Sequence, residues 1–200
     1  MTENIERIIF PHNNRHDTCN FFYDDVGLYS ISIVRDAKAT THFFIEEMCK
    51  LKKHTKNMTI MDGTGGLGGN AISFCFAFKE VDVFEIDKDR FNMLKKNMEN
   101  YKFDNFSLYN KNSLDYIHPK IDIYFFDPPW GGPEYKNVEK LRLKLGDNTL
   151  LKIIENIRKI RKNTFISFKL PFNYDLTEFA KYKLKKFQIR NSLIILIVPF

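Results

Sequence analysis

From Met58 onward the chain alternates short β-type runs with stretches of helical periodicity. Met58 to Asp62 predicts a buried strand that ends in glycines, Asn70 to Phe78 an apolar helix, and Val81 to Ile86 a second strand. Lys88 to Tyr101 is amphipathic, with Phe91, Leu94 and Met98 on one face and lysines between them. Phe106 to Asn110 and Ile121 to Phe126 predict a third and a fourth strand. Thr149 to Ile160 carries the clearest stripe, Leu150, Ile153, Ile154, Ile157 and Ile160, with Lys152, Arg158 and Lys159 outward. Phe165 to Lys169 predicts a fifth strand. Lys185 to Ile189 and Ser192 to Val198 follow as β-rich runs separated only by Arg190-Asn191, which predicts a tight hairpin. The pattern implies an α/β layer fold closed by two antiparallel strands.

Residues 1–57 read differently. They are polar around His12 to His16, aromatic at Phe21-Phe22-Tyr23, and predicted helical from Ala39 to Leu51. The segment is too short for a domain of its own, so it is expected to be an extension packed on a core of residues 58–200, roofing its active site. The 200 residues suffice for one ordinary domain. At 44% hydrophobic and 28% charged, the chain is neither a disordered tail nor a membrane protein. Twenty Phe and nine Tyr suit a packed interior or a surface that stacks planar ligands. Thirty-one Lys and Arg against 25 Asp and Glu leave +6, a mild tilt toward an anionic partner such as nucleic acid. Cys19, Cys49 and Cys75 are odd in number and widely spaced, which argues against a disulfide framework and a zinc site. With neither a signal-peptide pattern nor a long apolar run, the chain is expected to be soluble, intracellular, cytoplasmic or nuclear, and monomeric.

Asp62-Gly-Thr-Gly-Gly-Leu-Gly-Gly-Asn70 stands where the first strand turns into the first helix. Glycines are needed there because the backbone turns sharply and a ligand must approach closely. Gly63, Gly65 and Gly68 satisfy G-x-G-x-x-G, a pattern shared by dehydrogenase and methyltransferase loops, and a P-loop is excluded because no Gly-Lys-Ser/Thr follows. Asp62, Gly63, Thr64, Gly65, Gly68 and Asn70 are the candidate cofactor contacts of this segment. Glu85, about twenty residues past the loop, is placed to accept both ribose hydroxyls of an adenosine-containing cofactor, with Asp87 as the competitor or as cap of the next helix. Asn112 is placed to meet an adenine edge, with Ser113 and Asp115 as alternatives.

Asp127-Pro128-Pro129-Trp130 follows the fourth strand directly. This tetrad resembles that of S-adenosylmethionine (SAM) enzymes that methylate exocyclic amino groups. An exocyclic amine on a purine is a poor nucleophile because its lone pair is delocalised into the ring. Asp127 and the carbonyl of Pro128 can each accept one amine hydrogen and direct the lone pair at the methyl donor; prolines stiffen the segment. Alignment of this kind supplies roughly 7 to 11 kcal/mol of a barrier, and no metal is called for. The amine proton passes to Asp127 or to water.

The longer run Asp127-Pro-Pro-Trp-Gly-Gly-Pro-Glu-Tyr135 resembles the trimethylguanosine synthases, cap guanine-N2 methyltransferases that carry P-P-W-G-G-P-x-Y. Gly66-Leu-Gly-Gly-Asn70, Glu85-Ile-Asp87, Asn97 and Leu170-Pro-x-Asn173 extend the resemblance from Met58 to the C-terminus, and Tyr23-Asp-Asp25 echoes it faintly before that. The resemblance implies a class I SAM-dependent methyltransferase (Rossmann-like) sheet, which the antiparallel hairpin also suits. It implies an m7G-capped RNA as partner, methylated at N2 to the 2,7-dimethyl or 2,2,7-trimethyl form. Asp127, Pro128 and Trp130 are then the catalytic candidates, and Trp130, Pro133, Tyr135 and Asn173 the substrate-binding ones. An N7-methylated guanine is a planar cation, and an indole face attracts it by stacking and by a cation–π term of about 0.5 to 2 kcal/mol. The wealth of Asn, Lys and Phe suits a large DNA virus or a protist.

Two positions depart from that family. Asp127 stands where a serine is frequent, which brings the tetrad closer to ribosomal or transfer RNA guanine-N2 and adenine-N6 enzymes. Phe172 stands where a basic residue for the cap triphosphate is expected; Arg15, Lys169 or the stretch with Lys136, Lys140, Arg142 and Lys144 are the substitutes. A non-catalytic RNA-binding module on the same scaffold is the reading from another class.

Overall fold

The computed structural model describes residues 2–11 and 20–199, so Arg15 and Cys19 lie outside the described residues. The chain forms two compact units, Met1–Asp115 and Tyr116–Phe200. Residues 1–57 fall in the first unit together with the first three strands.

In the first unit, β1 (Thr59–Asp62) and β2 (Glu80–Phe84) run parallel with Thr59 opposite Glu80 and Asp62 opposite Val83. β3 (Phe106–Tyr109) continues the parallel order, Val81 opposite Phe106. Parallel neighbours need crossovers, supplied by α4 (Gly69–Cys75) and α5 (Lys88–Glu99). All seven residues of α4 are buried, and its two polar side chains, Asn70 and Ser73, are hydrogen-bonded to Ser32 and Thr41 of the extension. α5 buries Leu94, Asn97 and Met98, and Asp87 caps it by accepting the Arg90 N–H at 2.8 Å.

The extension contributes α1 (Thr2–Ile9), α2 (Asp25–Ser30) and α3 (Val34–Lys50). Ile9 and Phe10 are buried, and Phe10 stacks on Phe21 at 4.3 Å, while the polar run His12 to His16 lies outside the described residues. α3 begins five residues before the predicted Ala39, because Asp36 in its first turn suits the helix dipole and Ala37 already faces the core. It packs on α4 through Phe44 and Phe74 (5.9 Å between centroids) and a buried Thr41–Ser73 hydroxyl pair at 2.6 Å.

In the second unit, β4 (Ile123–Phe126) pairs in parallel with β7 (Phe165–Pro171), and β9 (Ser192–Ile197) and β8 (Leu184–Ile189) follow antiparallel, giving the order β4-β7-β9-β8. The hairpin turns at Arg190-Asn191, with Arg190 at φ +47°. Ile121, expected in β4, is buried but outside the strand, its carbonyl held by Arg161 and by the Thr164 hydroxyl. The pattern did not signal a short ribbon, β5 (Lys144–Leu145) with β6 (Asn148–Thr149), which leads into α6 (Leu150–Ile160). Thr149 caps α6, and Leu150, Ile153, Ile154 and Ile157 are buried as the stripe predicts. Ile160, in the last turn, is half exposed. Among the described residues no helix is long and apolar enough to cross a membrane, and no group of three or more His, Cys, Asp or Glu side chains is arranged for a metal.

Candidate active site

In the first unit the glycine segment folds back onto β2. Gly65 N–H donates to the Phe84 carbonyl at 2.7 Å, and a Cβ on Gly65 would stand 2.7 Å from Val83 Cγ1, so only glycine fits. Gly68, at φ +101°, starts α4, while Thr64 N–H donates to Asp62 Oδ1 at 3.2 Å. Glu85 stands one residue past β2 and is 8% exposed. Its Oε2 accepts Gly66 N–H and its Oε1 accepts Asp87 N–H, both at 2.9 Å. An ionised carboxylate has about four acceptor positions, so each oxygen keeps capacity for a further donor. Gly66 (φ +54°) has nothing nearer than the Thr64 carbonyl, 4.0 Å from where a Cβ would be, so its outer face is open.

The other candidates of this unit divide. Asn112 is half-buried, and its Oδ1 accepts Leu114 N–H at 3.1 Å. Ser113 is buried, whereas Asp115 is exposed. Asn70 donates to Ser32 Oγ at 3.0 Å, toward the extension, and its Oδ1 is buried with no hydrogen-bond partner among the described residues. Asn97, to which no role had been assigned, is 0% exposed and donates to the carbonyls of Phe22 (2.8 Å) and Leu67 (3.1 Å) while accepting Phe22 N–H at 2.8 Å. It fastens the extension to the glycine segment. An amide between Leu94 and Met98 on an otherwise apolar face was the available signal. Asn97→Leu orphans these three backbone groups, each worth about 1–3 kcal/mol when left buried, so the urea midpoint is expected to fall markedly.

In the second unit the Asp-Pro-Pro-Trp run leaves the end of β4. Ile123 pairs with Phe165 and Phe126 with Phe168, so one step on, Asp127 stands beside Lys169. Lys169 Nζ donates to Asp127 Oδ2 at 2.7 Å, the side chains being 11% and 16% exposed. Burial pushes the Asp127 carboxyl above its ordinary range; the Lys169 charge and hydrogen bond, and the Trp130 indole, pull the other way without reversing it. Pro128 is buried and Pro129 exposed. Trp130 is half-buried, outside the core, with Tyr135 in a T-shaped contact at 5.1 Å and Lys169 Nζ 5.8 Å from its ring centroid. Its Nε1 is buried without a well-formed hydrogen bond, so the indole influences Asp127 from a neighbouring position rather than along a good bond.

Gly131 and Gly132 take φ +87° and +75°, with nothing within 4 Å where a Cβ would point, and Pro133 opens a single tight turn to Asn137. Pro133 is exposed. Asn173 donates to the carbonyls of Tyr135 (2.7 Å) and Val138 (2.6 Å), so its amide holds the Trp130–Tyr135 loop in shape. Arg142 is ion-paired with Asp175 at 2.8 Å and approaches Glu178 at 3.7 Å, and Tyr174 donates to Glu178. The hydrogen bonds from Thr177, and next from Arg142, bring the Asp175 carboxyl down to about 2. A lowered folded-state value means a stabilisation that is complete above about pH 4 and lost as the pH falls through about 2. Fluorescence of the single tryptophan, followed from pH 5 to pH 2, is expected to report the loop's release.

Cys75 is buried, and burial, with Asp62 next, pushes its thiol up to about 12, whereas Cys49 is exposed. Iodoacetamide is therefore expected to label Cys49 and spare Cys75 in the folded protein, a difference that mass spectrometry reads directly.

Residues 57–195 match the sequence model of a family described as RNA cap guanine-N2 methyltransferase. Protein L320 of Acanthamoeba polyphaga mimivirus, itself uncharacterized, is 30% identical, over 98% of this chain and 86% of its own. The trimethylguanosine synthase of Schizosaccharomyces pombe is 28% identical, over 85% of this chain and 73% of its own. Among solved structures, an rRNA methylase from Streptococcus thermophilus superposes with a TM-score of 0.58 at 14% identity, covering 81% of this chain and 96% of that one. The shared fold is the α/β Rossmann-like fold of class I SAM-dependent methyltransferases.

Proposed function

The chain belongs to the RNA cap guanine-N2 methyltransferase family and is a SAM-dependent methyltransferase, and on that premise we propose that it methylates the exocyclic N2 of a 7-methylguanosine RNA cap, giving the 2,7-dimethyl or 2,2,7-trimethyl form. The observation that carries this reading is Trp130, half-buried outside the core and three residues from Asp127, beside which it exerts its pull on the carboxylate.

The first unit suits SAM. Glu85 holds two backbone N–H groups and keeps acceptor capacity for two ribose hydroxyls, and Gly66 leaves its outer face open. Asp62, Gly63, Thr64, Gly65, Gly68 and Asn70 would line the rest of the cofactor's path, with Asn112 toward the adenine. When bound, SAM supplies a methyl already activated by its sulfonium. The chain's own residues then do the positioning. The Asp127 carboxylate and the Pro128 carbonyl each accept one hydrogen of the N2 amine, and the nitrogen lone pair is held out of conjugation. The Trp130 face stacks the cationic purine. Tyr135 packs against the indole in a T-shaped contact, and Asn173 keeps Tyr135 in place.

For the cap triphosphate, Lys169 and Arg142 are committed to Asp127 and Asp175, which among the described residues leaves the exposed Lys136, Lys140 and Lys144 as the favoured contacts. Asp127 also favours a second reading, guanine-N2 methylation within ribosomal or transfer RNA. Labelled SAM offered with m7GpppA, GpppA and uncapped RNA separates the two. Methyl transfer confined to m7GpppA is expected, together with quenching of Trp130 fluorescence by m7GTP. Equal labelling of GpppA or of uncapped RNA would remove the cap reading.

A further inference from the structure

β7 is buried along all seven residues, and a lysine in such a strand needs a reason. An ammonium taken out of water loses several kcal/mol of hydration unless a partner answers it. Lys169 is answered by Asp127 Oδ2 at 2.7 Å, and the same Nζ lies 5.8 Å from the Trp130 ring centroid. One buried cation therefore borders both groups assigned to the base, the carboxylate that holds its amine and the plate that stacks it. The parallel register of β4 with β7 imposes this pairing, since residues 42 positions apart share a level along the strands.

We propose that Lys169 is a positioning residue for methyl transfer, whose ammonium fixes the orientation of the Asp127 carboxylate and holds it as an acceptor for the base's amino group. The proposal rests on the role given above to Asp127. The carboxylate is faced by Lys169 Nζ from β7 and by the Trp130 indole from its own loop, with the Tyr135 phenol packed against that indole. Burial favours the protonated carboxyl, and Lys169 opposes burial by its charge and by its hydrogen bond. Without the ammonium the carboxyl holds its proton to higher pH. It then carries a donor where the amine needs an acceptor, and its rotation is no longer fixed.

Single-turnover methyl transfer from pH 6 to pH 9 tests this in the full chain, with whichever guanine substrate the unsubstituted protein uses. The variants are Lys169→Met, Asp127→Asn and the double substitution, with S-adenosylhomocysteine affinity and thermal midpoint as checks on folding. Lys169→Met is expected to be about 100-fold slower at pH 7, the scale of a misplaced reacting group, and to recover as pH rises. Asp127→Asn, which needs no counter-charge, should show no such rise, and adding Lys169→Met to it should slow it little further. The 13C shift of the Asp127 carboxyl should titrate at higher pH in Lys169→Met than in the unsubstituted protein. If Lys169→Met does not fold, Lys169→Arg replaces it: transfer slows, while the carboxyl keeps its titration. A Lys169→Met profile parallel to that of the unsubstituted protein, an unmoved carboxyl titration, or losses that multiply in the double variant would overturn the proposal. So would an Asp127→Asn variant as fast as the original. Methylation of uncapped RNA would instead remove the cap reading and leave Lys169's role standing.

Discussion

Trp130→Ala is expected to lower kcat/KM for an m7G-capped substrate by about 10- to 5,000-fold while changing S-adenosylhomocysteine affinity less than about threefold. Base stacking on an aromatic side chain contributes about 1–3 kcal/mol, and the positive charge of the N7-methylated ring adds about 0.5–2 kcal/mol. Trp130 stands outside the core, so its removal leaves no large cavity. Trp130→Phe should keep part of the activity, because a smaller π face still stacks but attracts the cation less. An unmethylated guanine cap, which lacks the charge, should discriminate less between tryptophan and phenylalanine. Calorimetry with S-adenosylhomocysteine and steady-state kinetics on both caps measure this. A fall in cofactor affinity as large as the fall in kcat/KM would mean that the indole supports the fold rather than the base.

Glu85→Ala is expected to weaken S-adenosylhomocysteine binding by about 100-fold or more, since the two hydrogen bonds proposed from the ribose hydroxyls, at about 1.5–3 kcal/mol each, would be lost. The backbone N–H groups of Gly66 and Asp87 lose their acceptor at the same time, so the glycine segment loosens as well. Asp87→Ala is the contrasting variant. Its Oδ1 is bonded to Arg90 N–H at the start of α5, so its loss should cost about 1 kcal/mol of stability and leave cofactor affinity nearly unchanged. Unchanged affinity in Glu85→Ala, with a loss in Asp87→Ala, would transfer the ribose contact to Asp87. Isothermal calorimetry alongside urea unfolding distinguishes these outcomes.

Local features of the fold were largely legible. The stripe of Leu150, Ile153, Ile154 and Ile157 gave a helix because helical period acts within a few residues, and Thr149, read as its first residue, is its cap. The hairpin at Arg190-Asn191 was legible for the same reason. Element ends were less so. Ile121 and Ile86 are as apolar as their neighbours, yet one is buried beside its strand and the other is 71% exposed just past its strand. Hydropathy records a preference for burial, not whether a backbone partner is present.

The glycine turn and Asp-Pro-Pro-Trp after a strand could be read as motifs in one dimension because each is contiguous, whereas the bond from Gly66 to Glu85 spans 19 positions. Contacts between distant residues could not be read so. Asn97 meets Phe22 across 75 positions, and Asn173 meets Tyr135 across 38. Lys169, which in the linear order looked like a candidate for phosphate, turned out to be tied to Asp127 by strand register. Register and packing depend on which surfaces exclude water together, a property of the folded whole that no local pattern carries.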